Sequence, residues 1–246
     1  MNELLLIGIG TGNPDHLTRE GEKAIREADV VLIPRKGADK ADLADLRLAI
    51  CDQVLGTSAD TQIVEFDLPV RDADGDYLSG VDEWHDAIVN AWTDAVPPSA
   101  GKVALLVWGD PSLYDSTLRI ASRLDPMPKV RVVPGIASLQ VLTAAHGIPL
   151  NNIGAPVVIT TGRQLRDHGW PDGVDIIAVM LDGRQSFQTI DPTGVHIWWG
   201  AFLGMENEVL VSGNLADVSE QIVKVRAETR EAHGWIMDIY VLRRDG

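Results

Sequence analysis

Cysteine is nearly absent. Cys51 is the single one in 246 residues, which excludes an intrachain disulfide framework and a cysteine-rich metal site and points to a reduced, cytoplasmic setting. Positive charge is scarce too, with 21 Lys plus Arg against 36 Asp plus Glu and a formal net charge of −15. A surface of that sign repels nucleic acid and anionic membranes, so neither is expected as a partner, although a local basic pocket can still hold a polyanionic small molecule. No apolar run is long enough to span a bilayer. Met1 to Gly10 lacks a basic leading region and runs into glycines, which makes it a first strand rather than a targeting segment. Repeats and low-complexity tracts are missing. The histidines His16, His85, His146, His168, His196 and His233 show no i,i+4 ligand pairing, so no metal is expected. A Gly-Lys-Ser/Thr sequence is also missing, which excludes a phosphate-cradling P-loop.

What is present is a globular, loop-rich composition, 45% hydrophobic with 23 Gly and 13 Pro, and a length that suggests two domains of ~120 residues each. The stretch Val103 to Tyr114 reads VALLVWGDPSLY. Its apolar run Val103 to Val107 fits a buried parallel strand that delivers a Gly-Asp-Pro loop to the carboxyl edge of an α/β sheet, where ligands bind in such folds. A helix is expected over Ser112 to Arg123. Leu4 to Ile9 is a second continuous apolar run, broken by Gly8-Ile9-Gly10-Thr11-Gly12-Asn13-Pro14. A dinucleotide fingerprint would need a third glycine where Asn13 stands, and Asp29 alone is weak support for a ribose contact. A helix capped by Thr18 follows, then a strand from Asp29 to Ile33.

Arg35, Lys36 and Lys40 form a basic cluster beyond that strand. They read either as solvated loop residues or as anchors for substrate carboxylates. Helices are expected over Ala41 to Gln53 and Val81 to Ala95, with a short strand, Thr61 to Phe66, between them. The helical spacing of Trp84, Ile88 and Trp92 marks them as core. Val130 to Val133 is another strand, ending in Pro134-Gly135-Ile136-Ala137-Ser138 and opening a helix to His146. Two Gly/Pro loops at one sheet edge are expected to set free backbone N–H groups side by side. The boundary of the two domains is placed at 134/135, giving domains 1–134 and 135–246. Beyond it, strands at Pro156 to Thr161, Asp175 to Leu181, Val195 to Trp199, Glu208 to Ser212 and Trp235 to Leu242, with helices at Ser186 to Ile190 and Val218 to Ala232, imply a mixed sheet.

Taken in order, Gly8 to Pro14, Gly109-Asp110-Pro111-Ser112-Leu113-Tyr114, Pro134 to Ser138, Gly147-Ile148-Pro149 and Gly213-Asn214-Leu215 resemble the tetrapyrrole methylases over nearly the whole chain. The resemblance implies a two-domain α/β fold, a mostly parallel sheet followed by a mixed one, with S-adenosyl-L-methionine held in the interdomain cleft. It also implies S-adenosyl-L-homocysteine as product, a precorrin-type tetrapyrrole as substrate, and a homodimer. Cofactor contacts carried over are Pro14, Trp108, Gly109, Asp110, Leu113, Ala137, Ser138, Leu181 and Gly204. Trp108 stands where many relatives have a second glycine, and Leu181-Asp182 where many have Met-Gly.

Lys36-Gly37 with Lys40 to Leu43 and Arg47, Met180 to Gly183, and Trp199 to Gly204 are similar to the branch of the family that couples ring methylation to loss of an acetyl group. Methyl transfer is an in-line displacement that needs positioning more than a triad or metal. Acetyl loss calls for an activated water, for which Asp15, His16 and Asp110 are the candidate bases by motif position. Arg35, Lys36, Lys40 and Arg184 are the candidate substrate anchors. A sibling methylase acting at another ring carbon, a dinucleotide-dependent oxidoreductase, and a non-catalytic tetrapyrrole carrier stay open as alternatives.

Overall fold

A computed structural model describes residues 1–35, 41–57, 60–70 and 77–244. The chain divides into two compact units, Met1–Ala137 and Ser138–Gly246.

In the first unit the elements run β1 (Glu3–Gly8), α1 (Arg19–Glu27), β2 (Val30–Arg35), α2 (Ala41–Leu55), β3 (Gln62–Asp67), α3 (Tyr77–Ala95), β4 (Lys102–Val107), α4 (Thr117–Ala121) and β5 (Lys129–Val133). The strands pair in parallel in the order β3-β2-β4-β1-β5. β1 and β4 lie inside the sheet and read as unbroken apolar runs because both their faces are covered. Leu5, Ile7, Ala104 and Leu106 meet Ala24 and Ile25 of α1 and Ala44, Ile50 and Cys51 of α2. Leu4, Leu6, Val103, Leu105 and Val107 meet Ile88 and Trp92 of α3 and Ile120 and Ala121 of α4, with Trp84 packed at the margin. The tryptophans of α3 are therefore core, as their spacing predicts.

The expected helix over Ser112 to Arg123 shrinks to Thr117–Ala121. Asp115 interrupts it, since its Oδ1 accepts from the Thr117 N–H (2.6 Å), a donor that the expected helix would have given to the carbonyl four residues earlier, while Asp110 Oδ1 accepts from the Ser112 N–H (2.8 Å) in a turn of its own. Tyr114, between them, sits at φ 51°.

The second unit comprises α5 (Ser138–His146), β6 (Val157–Thr161), α6 (Gly162–His168), β7 (Ile176–Met180), β8 (Val195–Ala201), β9 (Val209–Asn214), α7 (Leu215–His233) and β10 (Asp238–Arg244). Its sheet has the order β6-β7-β10-β8-β9, parallel between β6 and β7 and antiparallel elsewhere, hence mixed as expected. The expected helix Ser186 to Ile190 is one 3-10 turn, Ser186–Thr189, and α6 has no counterpart among the sequence expectations. Trp199, Phe187, Phe202, Tyr240 and Ile222 fill the core. Within it Arg226 grips Asp238 through Nε (2.8 Å) and Nη2 (3.1 Å), and Trp199 Nε1 donates to the same carboxylate at 3.0 Å. Among the described residues no helix is long and apolar enough to cross a membrane.

Candidate functional site

The carboxyl ends of β1, β4 and β5 meet through bare main chain. A Cβ on Gly8 would lie 2.5 Å from the Gly135 nitrogen, and one on Gly135 would collide with the Gly109 carbonyl oxygen. Gly8 and Gly135 are needed here because the loops share space that no side chain can enter, whereas Gly109 is needed for its backbone conformation. Gly109 and Gly10 exchange hydrogen bonds, Gly109 N–H to Gly10 O at 2.7 Å and the reverse at 3.3 Å. Their φ angles of 66° and 75° lie in the left-handed region.

Asp110 locks the arrangement. Its Oδ2 accepts from the Gly135 N–H at 2.9 Å, while Oδ1 accepts from the N–H and hydroxyl of Ser112. Burial pushes its pKa up, but the hydrogen bonds from Ser112 and from the Gly135 N–H outweigh that, and the carboxyl ends below its ordinary value. The backbone donors expected to stand free are thus partly consumed, because Gly109 N–H serves Gly10, Gly135 N–H serves Asp110, and Ser112 N–H serves Asp110 too. The two loops do come together, but a carboxylate joins them, an internal ligand that the sequence did not reveal.

Around this edge the structure gathers Trp108, Gly109, Asp110 and Ala137, whose Cα lies 3.9 Å from the Cβ position of Gly109. Leu113 turns back by donating its N–H to the Asp110 carbonyl at 3.2 Å, and Ser138 follows Ala137 as the first residue of α5. Pro14 opens a 3-10 turn through His16, capped by Asn13, whose Oδ1 accepts from the Asp15 N–H at 2.9 Å. His16 lies against Gly10, since a Cβ there would be 2.6 Å from its own. Its Nδ1 is 3.1 Å from the hydroxyl of buried Thr11, and its Nε2 has no partner among the described residues. Asp15 points to solvent.

Of the four expected substrate anchors, Arg35 and Arg184 are described. Arg35 is engaged by Glu65 and by Asp45 (2.9 Å to the latter), which hold its charge and raise its pKa. Lys36 and Lys40 lie outside the described residues. Arg184 is exposed in the second unit.

Within that unit, Leu181 follows β7 with φ 53° and is 67% exposed. Asp182 beside it is buried and accepts from Ser186 Oγ (2.9 Å), the Ser186 N–H (2.5 Å), Tyr240 OH (2.7 Å) and the Arg184 N–H (3.2 Å). Burial, then the Asp182 charge, pushes the Tyr240 pKa well above its ordinary value, so the phenol stays a donor. Gly162 has no room for a Cβ because Asp182 fills that space. The departure from Met-Gly at this position is therefore matched by a network built to receive an acid. Gly204 has φ 77° and donates its N–H to Glu208 at 2.7 Å. Phe202, two residues earlier, is another non-glycine residue in the left-handed region, at φ 49°. Such strain in Tyr114, Leu181 and Phe202 is characteristic of sites whose surroundings hold them, and no sequence signal announces it.

The model of the family Tetrapyrrole (Corrin/Porphyrin) Methylases matches residues 3–219. The chain belongs to the tetrapyrrole methylases. Among curated members, this methylase is 45% identical over 252 residues to a precorrin-6A synthase [deacetylating] of Sinorhizobium sp., covering 99% of this chain and 96% of the relative. A solved cobalamin-synthesis-related protein, CobF, from Corynebacterium diphtheriae superposes with a TM-score of 0.82 at 37% identity, covering 99% of both chains. A uroporphyrin-III C-methyltransferase of Thermus thermophilus solved with S-adenosylhomocysteine shares the fold, at a TM-score of 0.60, 23% identity, and coverage of 98% of this chain and 92% of that one.

Proposed function

We propose that this methylase is a precorrin-6A synthase, which methylates precorrin-5 at C-1 and releases acetate. The observation that carries the reading is the 45% identity to a precorrin-6A synthase [deacetylating] over 99% of the chain. The glycine edge supports it. Gly8 and Gly135 let the strand-end loops close on one another, Gly109 has only the Ala137 Cα within 4 Å of its Cβ position and so leaves main chain that a ligand can approach, and exposed Leu181 offers an apolar contact in the second unit. The cofactor contacts proposed are Pro14, Trp108, Gly109, Asp110, Leu113, Ala137, Ser138, Leu181 and Gly204. S-adenosylmethionine supplies an electrophilic methyl group, so the protein has to align donor and ring carbon and exclude water.

Acetate loss consumes one water. Its oxygen bonds to the acetyl carbonyl carbon, the bond from that carbon to the ring breaks, and the electron pair stays with the macrocycle. Of the three candidate bases His16 fits best. Asp110 has both oxygens occupied and its proton affinity lowered, and Asp15 faces solvent, whereas His16 is partly buried against Gly10 with Nε2 open. The reading carries with it a cytoplasmic homodimer that acts on a small molecule, without nucleic acid, membrane or metal.

A dinucleotide oxidoreductase is further disfavoured by Asp29. Its Oδ2 accepts from Gly101 and Lys102 N–H at 2.8 and 2.7 Å, at the amino end of β4, opposite the glycine loops. Thermal unfolding with S-adenosylhomocysteine or NAD tests the reading. At a ligand concentration roughly 100-fold above Kd, mass action adds about 2.7 kcal/mol, or roughly 5–10 °C. Stabilisation by S-adenosylhomocysteine alone is expected. Stabilisation by NAD alone would reverse the assignment.

A further inference from the structure

Arg226 is buried and Arg47 half-buried, and of the two only Arg226 meets an acid. Arg226 meets Asp238 through two hydrogen bonds. Arg47, on α2, donates from Nε to the Leu106 carbonyl (2.9 Å) and from Nη1 to the Leu43 carbonyl (3.0 Å). Among the described residues no carboxylate stands within ion-pair distance of it, and Nη2 has no partner. Burial pulls its pKa down to about 10, opposed only by the more distant charge of Asp115.

A tie between two carbonyls needs no positive charge, and a guanidinium taken out of water without a counter-ion is costly to keep. Its location suggests what the charge is for. β4 pairs with β2 only from Val103 to Leu105. Beyond that point β2 continues along β3 to Arg35 and β4 along β1 to Val107. The two neighbours part, and the Leu106 carbonyl, facing no strand on that side, is taken by Arg47 instead. The chain leaves β2 toward β3 at one sheet edge and leaves β4 toward β5 at the other. Crevices between strands whose connections diverge are where open α/β sheets bind ligands. Gly109 and Asp110 lie three and four residues past Leu106, at the same carboxyl edge.

We propose that Arg47 receives a carboxylate of the substrate in the opening between β2 and β4, gripping one acid side chain of a polycarboxylate tetrapyrrole. The assignment rests on the proposed function for the nature of the ligand. It replaces Arg35, whose charge Glu65 and Asp45 already neutralise. The fork of Arg47 is held at Nε and Nη1, so the remaining donors are presented without further loss of side-chain freedom.

The test uses full-length wild type, Arg47→Gln and Arg47→Lys. Affinity for uroporphyrin III, a stable fluorescent tetrapyrrole polycarboxylate, is measured by fluorescence titration, and affinity for S-adenosylhomocysteine by calorimetry. For Arg47→Gln a pigment Kd roughly 10- to 100-fold weaker is expected, with S-adenosylhomocysteine binding unchanged and a smaller loss for Arg47→Lys. Equal pigment binding by wild type and Arg47→Gln, no pigment binding by wild type, or parallel loss of both ligands would each overturn the assignment. If Arg47→Gln does not fold, Arg47→Lys decides, with weakened pigment binding supporting the assignment and unchanged binding refuting it. Turnover of precorrin-5 is scored separately. Its absence, alongside pigment binding that depends on Arg47, would defeat the proposed activity and leave the carboxylate site standing.

Discussion

Replacing Asp110 by Asn probes the joint that brings the glycine loops together. The carboxylate accepts from three donors, Gly135 N–H at 2.9 Å on one oxygen and the N–H and hydroxyl of Ser112 on the other. An amide has one acceptor oxygen, so its NH2 would face either Gly135 N–H or the Ser112 pair. One charge-assisted bond is lost and a backbone donor is left without a partner, which together are worth about 2 kcal/mol at this partly exposed site. For a chain of this length that is a drop in Tm of roughly 4–8 °C near neutral pH.

The pH dependence has a definite sign. The folded pKa of Asp110 lies below its ordinary value, so its stabilisation is present above the unfolded value of about 3.9 and is lost as pH falls through the lower, folded one. The gap in Tm between wild type and Asp110→Asn should therefore be full at neutral pH and close below about pH 4. Calorimetric scans across that range give the gap, and titration with S-adenosylhomocysteine at neutral pH should show weaker binding to the variant. An Asp110→Asn protein with wild-type Tm and wild-type affinity would refute the role assigned to this carboxylate.

Gly135→Ala puts a methyl group into the Gly109 carbonyl and should destabilise by roughly 3 kcal/mol or more, visible as a lowered urea midpoint. Among the described residues buried His85 finds no partner for Nε2, and burial, then the Arg123 charge, lowers its pKa. The unfolded chain therefore binds the proton more readily, and stability should fall as pH drops from about 6.5 toward the folded value; Tm against pH should flatten over that window in His85→Gln. Cys51 is buried, and desolvation pushes its thiol up to about 12. Alkylating reagents should spare it in the native protein and modify it after denaturation, as mass spectrometry of the two samples will report.

The central strands were legible because burial on both faces leaves no alternation to misread, as in Leu4–Ile7 and Val103–Val107. α1 was legible through its cap, Thr18, whose hydroxyl accepts from the Gly21 N–H. The turn after β4 was not, since Asp115 captures the Thr117 N–H and Asp110 is held by the Gly135 N–H 25 residues away, neither of which periodicity shows. α6 escaped notice because it is seven residues long, begins at Gly162 and carries mostly polar side chains. Arg35 looked available because Glu65 is 30 residues away in sequence, and the Asp182 network closes with Tyr240 over 58 residues. Periodicity cannot show pairings at such separations. The resemblance supplied Leu181 as a position, while its left-handed backbone and exposure are visible only in the folded chain.

The most direct test of the proposed chemistry is incubation of the purified protein with precorrin-5 and S-adenosylmethionine labelled in the methyl group. Label in the macrocycle and one acetate released for each methyl transferred are the expected result. Label in the macrocycle without acetate would point to methylation of the sibling kind, and no transfer of label to precorrin-5 or any other precorrin would contradict methyl transfer altogether.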